Sequence, residues 1–153
     1  MLEWAILPFR RYFDFQGRSR RMEYWSFALL IFVVYLVLVG IMMAGGASLA
    51  AMSGDPSAIT SASFGPVFYI GVGLLILFAL AVIIPSIAVV VRRLHDRDMS
   101  GWWYLGFIVA SMIPFVGFIA SIALLVLMFL PGTPGPNRFG PDPKGPGSTE
   151  VFA

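Results

Sequence analysis

The sequence predicts an all-α integral membrane protein with two full transmembrane helices, a third apolar segment broken by proline and glycine, an N-terminal interfacial segment and a Pro/Gly-rich tail. Two observations predict this class. Apolar residues make up 59% of the chain and charged residues 12%, against about 45–50% and about 25% in soluble domains. Residues 25–54, 56–91 and 101–137 also contain no charged side chain and no histidine. Because a helix needs about 20 apolar residues to cross a bilayer core, we expect residues 1–153 to form a single membrane domain, with its membrane helices within residues 25–130.

Residues 1–24 are expected to lie at the membrane interface. Within them, segment 2–15 combines aromatic rings with Arg10 and Arg11, a mixture that suits the headgroup layer. The rings are those of Trp4, Phe9, Tyr12, Phe13 and Phe15. Pro8 limits the length of any helix in this segment.

Two long apolar stretches are predicted to be full transmembrane helices. The first lies near residues 25–44, and its long apolar run and long basic leader argue against a cleaved signal peptide. The second lies near residues 67–91 and contains Pro85. This proline removes one backbone N–H and clashes with the carbonyl group of Ala81, so a kink is expected there.

The third apolar stretch, residues 102–130, has two interpretations. One helix of this length would measure about 43 Å, longer than a hydrocarbon core of about 30 Å, and would need tilt or a kink at Pro114. Alternatively, Pro114 and Gly117 enclose a turn between arms at residues 102–113 and 118–130. Each arm would measure about 18–20 Å, which is too short for an ordinary span but suits a re-entrant hairpin buried against other helices.

The distribution of basic residues predicts the orientation. The ten are Arg10, Arg11, Arg18, Arg20, Arg21, Arg92, Arg93, Arg97, Arg138 and Lys144. Since positively charged flanks stay cytoplasmic, the N-terminus and the loop at residues 92–100 are expected inside, and the loop at residues 45–66 outside. A hairpin would place the tail, residues 131–153, inside with all ten basic residues on one side. A single span would place two of them outside, so the rule favours the hairpin.

The segment after the second span carries several ionisable side chains. If that span continues as a helix, Arg92 and Asp96 are expected to form an i, i+4 pair. His95 could titrate near neutral pH as a switch or a base, although a histidine beside aspartate and arginine is more often a structural hydrogen-bonding residue. In the tail, the density of proline and glycine forbids a helix and is typical of a flexible linker.

Four sequence blocks together resemble those of a known family. They are Phe15, Gly17, Arg18, Arg21, Glu23, Tyr24 and Trp25; then Arg92 to Asp96 with Ser100 to Trp103; then Ile113, Pro114 and Gly117; and then Gly132 to Gly135 with Asn137 to Pro143. The chain resembles the small bacterial inner-membrane proteins grouped as the domain-of-unknown-function 805 family. The resemblance implies a multi-pass protein of the bacterial inner (plasma) membrane and supplies no activity. The loop at residues 45–65 is longer than is usual in this family.

The blocks that carry the resemblance are polar and charged, and distant blocks meet at one membrane face only if the third stretch is a hairpin. We therefore expect a cluster at the cytoplasmic interface that binds a ligand or a lipid headgroup. Its members would be Arg18, Arg21, Arg92, Arg93, His95, Asp96, Asn137, Arg138 and Asp142. Because unpaired charge at a membrane boundary is costly, its acids should pair with its arginines.

Three functions remain open at this stage. The favoured one is a binding or scaffold module for anionic lipid or a partner protein, which includes a second copy of the chain. The second is a small transporter or channel component. The third is an enzyme acting on a lipid-like substrate through His95 and Asp96, although the sequence contains no recognisable catalytic motif. With no cysteine and one histidine, no metal or cofactor is predicted, and a net charge of +2 does not suggest a nucleic-acid partner.

Overall fold

The computed structural model describes residues 2–44 and 65–145, and over these residues the chain is all-helical and contains no strand. The five helices within them are α1 Leu2–Arg10, α2 Arg21–Met42, α3 Pro66–His95, α4 Trp102–Ser111 and α5 Val116–Phe129. The predicted all-α class is confirmed for this part of the chain. Most of the predicted outer loop and the last eight residues of the tail lie outside the described residues.

Helices α2 and α3 are long and apolar enough to cross a membrane. They contain 22 and 30 residues, with mean hydropathies of 2.6 and 3.1 in their most apolar windows. Only 11% and 28% of those windows is buried, whereas the core helix of a soluble protein would be mostly buried. Helix α3 continues through Pro85 and ends at His95, four residues beyond the predicted end. Arginine favours helix, so the charged residues after the apolar run extend the helix rather than end it.

The chain forms two compact units, of which one is Leu29–Ile83. In this unit the rings of Tyr35 and Phe78 pack edge to face with centroids 5.3 Å apart. A Cβ atom at Gly71 would lie 2.8 Å from the Cα atom of Met42. Glycine therefore permits close backbone contact between α2 and α3, as small residues do in membrane helix pairs.

The other unit comprises Met1–Ala28 and Ile84–Ala153. Its apolar core is a cluster of Val90, Leu94 and Met128, against which partly buried side chains from α2, α4 and α5 pack. Those side chains include Tyr24, Trp25, Tyr104, Leu124 and Leu127. In the same unit, α1 contacts α2 through Phe9 and Phe27, whose ring centroids are 5.4 Å apart.

The third apolar stretch forms two helices that pack against each other, α4 and α5. The chain reverses between them at Phe115, which has a positive φ of 64°. A Cβ atom at Gly117 would lie 2.6 Å from the carbonyl oxygen of Ser111, so the turn requires glycine there. With 10 and 14 residues, the helices measure about 15 Å and 21 Å. This is the chain geometry of the hairpin alternative and not that of one long helix.

Candidate functional site

Charged side chains are buried around the C-terminal end of α3. Arg92 and Arg93 are fully buried, and Asp96 directly after the helix is 4% exposed. Arg18 from the segment before α2 and Glu23 from the first turn of α2 are buried beside them. We call these five residues the arginine cluster. Because burying a charge is costly unless it is paired and hydrogen-bonded, the partners of each side chain decide what the cluster can do.

Asp96 joins three segments of the chain. Its Oδ1 atom accepts hydrogen bonds from Arg18, at 2.9 Å from Nη2 and 3.0 Å from Nε. Its Oδ2 atom pairs with Nη1 of Arg93. The backbone carbonyl of Asp96 accepts from the tail as well, at 2.8 Å from the N–H of Thr133 and 3.1 Å from its hydroxyl. One residue therefore fixes the N-terminal segment, the end of α3 and the start of the tail.

Arg92 makes a separate buried pair with Glu23. Its Nη2 atom lies 2.8 Å from Oε1 of Glu23, and the two side chains are 0% and 2% exposed. The Nη1 atom donates to the carbonyl groups of Asp14 and Arg11. The predicted pairing of Arg92 with Asp96 is therefore wrong, because Asp96 reaches Arg93 at spacing i, i+3 while Arg92 faces α2.

The tail docks onto the arginine cluster through its backbone. Arg18 donates to the carbonyl groups of Thr133 and Gly135, both at 2.6 Å. The side-chain amide of Asn137 donates to the carbonyl group of His95 at 2.8 Å and to the hydroxyl of Thr133 at 3.0 Å. Over residues 131–145 the composition typical of a linker thus belongs to a segment with specific hydrogen-bond partners.

His95 is held by the N-terminal segment and the tail, not by Asp96. Its Nδ1 atom lies 3.2 Å from the carbonyl oxygen of Gly17, whose φ of +75° favours glycine. Its ring stacks on Phe139 with centroids 3.9 Å apart and an interplanar angle of 2°. Since the carboxylate of Asp96 is engaged by two arginines, the side chains do not form the acid–base pair that an enzyme using both would need.

Three predicted members lie at the rim of the site. Arg21 is exposed and donates to the carbonyl group of Phe129 at 3.2 Å. Arg138 makes a solvent-exposed pair with Asp98 at 3.2 Å, and its guanidinium lies over the ring of Phe139. Asp142 makes no ion pair within the described residues. The prediction that the acids of the cluster pair with its arginines therefore agrees with the contacts of Asp96 and not with those of Asp142.

Two carboxylates outside the helices have lowered pKa values. The N–H of Lys144 holds the pKa of Asp142 below its ordinary value; burial opposes this, and the N–H of Gly135 and the charges of Arg18 and Lys144 add to it. For Asp14, burial alone would raise the pKa. The hydrogen bonds from Arg11 and the N–H of Gln16, with the charges of Arg11 and Arg92, outweigh it, so the pKa of Asp14 is lowered.

Sequence reasoning missed Glu23, Thr133 and Arg97 as members of the site. Glu23 was named only as part of a family block, and that place in the block was its one signal. Thr133 lies in a block that composition assigned to a linker. Arg97 donates to the carbonyl group of Pro131, a contact that depends on the hairpin. Within residues 2–44 and 65–145 no three histidine, aspartate or glutamate residues are grouped to hold a metal ion.

Comparison with known proteins identifies relatives of this chain. The family model described as a protein of unknown function (DUF805) matches residues 12–141. The chain is 34% identical over 145 residues to the inner membrane protein YhaH of Escherichia coli strain K12, covering 94% of this chain and 98% of that protein. It is also 34% identical over 143 residues to the inner membrane protein YhaI of the same strain, covering 94% and 97%. No solved structure gives a significant match.

Proposed function

We propose that this chain, which belongs to the DUF805 family, is a binding or scaffold module of the inner membrane. In this proposal the arginine cluster holds the N-terminal segment and the tail together as one surface at the cytoplasmic face. The surface binds anionic lipid headgroups or a partner protein. Membrane location is supported by two helices long and apolar enough to cross a bilayer and by relatives named as inner membrane proteins.

The observation that carries the proposal is the burial of the arginine cluster with internal partners. Arg18, Arg92 and Arg93 are each engaged by a carboxylate and by at least one backbone carbonyl. Arginines in this state fasten segments to one another, which is what a fixed surface requires. Buried ion pairs add little net stability against apolar replacements, so their use here fits a role in fixing one arrangement of the chain.

The same contacts support the proposed orientation. The N-terminal segment, the end of α3 and the tail are joined in one unit by Arg18, Asp96 and Thr133. Because α4 and α5 reverse the chain, we propose that they form a re-entrant hairpin and that the tail returns to the side of Arg92. With the basic residues kept cytoplasmic, the protein is multi-pass with both its N-terminus and its tail inside.

Single cysteines test the orientation cleanly, since the chain has none of its own. Lys144→Cys in the tail and Phe13→Cys near the N-terminus should react with a membrane-impermeant maleimide in inside-out vesicles and not in intact spheroplasts. Ser53→Cys in the loop at residues 45–66 should show the reverse. Labelling of Lys144→Cys and Phe13→Cys from opposite sides would overturn the proposed surface.

Lipid and protein retention tests the function. Mass spectrometry of the protein purified in mild detergent should find anionic phospholipid, or a specific protein, retained above its share of the membrane. Asp96→Asn, which breaks the arginine cluster, should lower that retention, while Asp98→Asn, in the exposed pair with Arg138, should leave it unchanged. Wild-type protein that retains neither would contradict the proposal.

A further inference from the structure

Three arginines from two other parts of the chain donate hydrogen bonds to carbonyl groups at the C-terminal end of α5. Arg21 donates to the carbonyl group of Phe129 at 3.2 Å, Arg93 to that of Leu130, and Arg97 to that of Pro131. The last carbonyls of a helix lack partners in the helix and carry about half a negative charge; Phe129 ends α5 and Leu130 caps it, and Pro131 is the next residue. Three full positive charges therefore meet a much smaller negative one.

The charge at this helix end remains in excess after the carboxylates are counted. Asp96 is shared between Arg18 and Arg93. Arg21 and Arg97 have no ion pair among the described residues, and both lie near enough to Arg93 to repel it. Since the bonds of Arg21 and Arg97 are at the exposed surface, the excess positive charge is accessible from outside.

Hydrogen-bond donors are also in excess here. Within the described part of the chain, the buried Nε atoms of Arg93 and Arg97 have no acceptor, and neither has Nε1 of Trp25. Trp25 lies one turn after Arg21 on α2, and its ring centroid is 4.2 Å from that of Phe129. Because arginine and tryptophan side chains offer donors alone, a complementary ligand must be rich in acceptors and negatively charged.

We propose that Arg21 and Arg97 bind the phosphate group of an anionic phospholipid headgroup at the end of α5. The proposal rests on the membrane-scaffold function and names the ligand class of that surface. Arginine forks bind phosphate oxygens in pairs, and a tryptophan beside them is typical of the headgroup layer. The fully buried Arg93 supplies charge from behind and keeps its internal partners.

Competition for lipid in nanodiscs tests the site. Wild-type protein in nanodiscs that contain phosphatidylglycerol and phosphatidylcholine should retain phosphatidylglycerol selectively when it is transferred to detergent and analysed by native mass spectrometry. Arg21→Gln/Arg97→Gln should lose about twenty-five-fold in that selectivity, since each arginine that contacts the anionic headgroup contributes about fivefold. The matched control Arg10→Gln/Lys144→Gln removes the same charge elsewhere and should keep the selectivity.

Two further experiments distinguish lipid phosphate from free phosphate and test the role of the guanidinium group. Inorganic phosphate at millimolar concentration should compete only weakly with phosphatidylglycerol for the site if the ligand is the lipid headgroup. Full competition would show that free phosphate is the ligand and would overturn the lipid assignment. Arg21→Lys/Arg97→Lys should retain part of the selectivity, which also shows that variants at these positions fold. Equal loss in the Arg10→Gln/Lys144→Gln control would reduce the site to general surface charge and refute the proposal.

The outcome also separates this site from the wider function. Selective retention that survives in Arg21→Gln/Arg97→Gln would refute this site and leave the scaffold proposal intact. Absence of selective lipid or protein retention in the wild type would refute the scaffold proposal itself.

Discussion

Replacing Asp96 by asparagine keeps the size of the side chain but removes its charge, so Arg18 and Arg93 each lose a carboxylate. None of the three side chains is more than 5% exposed. Removing one partner of a buried ion pair costs about 3–5 kcal/mol, because the remaining charge stays buried and unpaired. Arg18 and Arg93 keep backbone carbonyl partners, so we expect a loss near the lower end, about 3 kcal/mol.

The free energy of unfolding in mixed micelles, followed by tryptophan fluorescence, measures this loss. Asp98→Asn is the matched control, since it removes the same charge at a position two residues after Asp96. Asp98 pairs with Arg138, and the side chains of Arg138 and Asp98 are 59% and 47% exposed. An exposed pair contributes about 0–1 kcal/mol. If Asp96→Asn and Asp98→Asn differ by less than about 0.5 kcal/mol, the buried cluster does not hold this region together and the reasoning is refuted.

Three further variants probe the same surface. Glu23→Gln should cost about 3–5 kcal/mol in the same unfolding assay, because it leaves the fully buried Arg92 without its carboxylate; a loss below 1 kcal/mol would contradict this. Gly132→Ala should release the tail to protease, since a Cβ atom there would overlap the buried carboxylate of the cluster, whereas Gly40→Ala, with open space around it, should not. The lowered pKa of Asp142 means that its contribution to tail docking is present above its ordinary pKa and is lost as the pH falls through the lower folded value. Protease sensitivity of the tail should therefore begin to rise below about pH 4, and Asp142→Asn should weaken that pH dependence.

The helices could be predicted from the sequence because their signals are local. Uncharged runs of sufficient length mark α2 and α3. Pro114 and Gly117, three positions apart, mark the break between α4 and α5. The predicted end of α3, at the charged residues, was less accurate. Arg92 and Arg93 end the apolar run, but α3 continues to His95, since a helix ends where its backbone partners end and not where hydrophobicity does.

The partners within the site could not be predicted, because they are distant in sequence. Glu23 and Arg92 are 69 positions apart, and their pairing depends on how α2 and α3 face each other. Local spacing favoured Asp96 as the partner of Arg92, but helical spacing allows both i, i+3 and i, i+4 neighbours. Asp96 takes Arg93 because Arg92 already faces the first turn of α2.

The tail shows why composition alone misjudged one segment. Proline has no backbone N–H, so a segment rich in proline has more acceptors than donors and cannot satisfy them internally. Arginine has five donors and no acceptor. The tail carbonyls that accept from arginines are those of Pro131, Thr133, Gly135 and Pro143. A composition typical of a flexible linker is therefore also complementary to a group of arginines at a membrane surface.

Replacing Arg18 by lysine tests whether Arg18 holds the tail through the several donors of its guanidinium group or through its charge alone. Arg18→Lys keeps a positive charge for Asp96, but one ammonium group cannot reach Asp96, Thr133 and Gly135 as the guanidinium does. The tail should then become sensitive to protease at neutral pH while α2 and α3 keep their helical content by circular dichroism. If Arg18→Lys protects the tail as well as the wild type does, attraction between charges holds it and the carbonyl contacts are incidental. The same substitution at the exposed Arg10 should leave the tail protected.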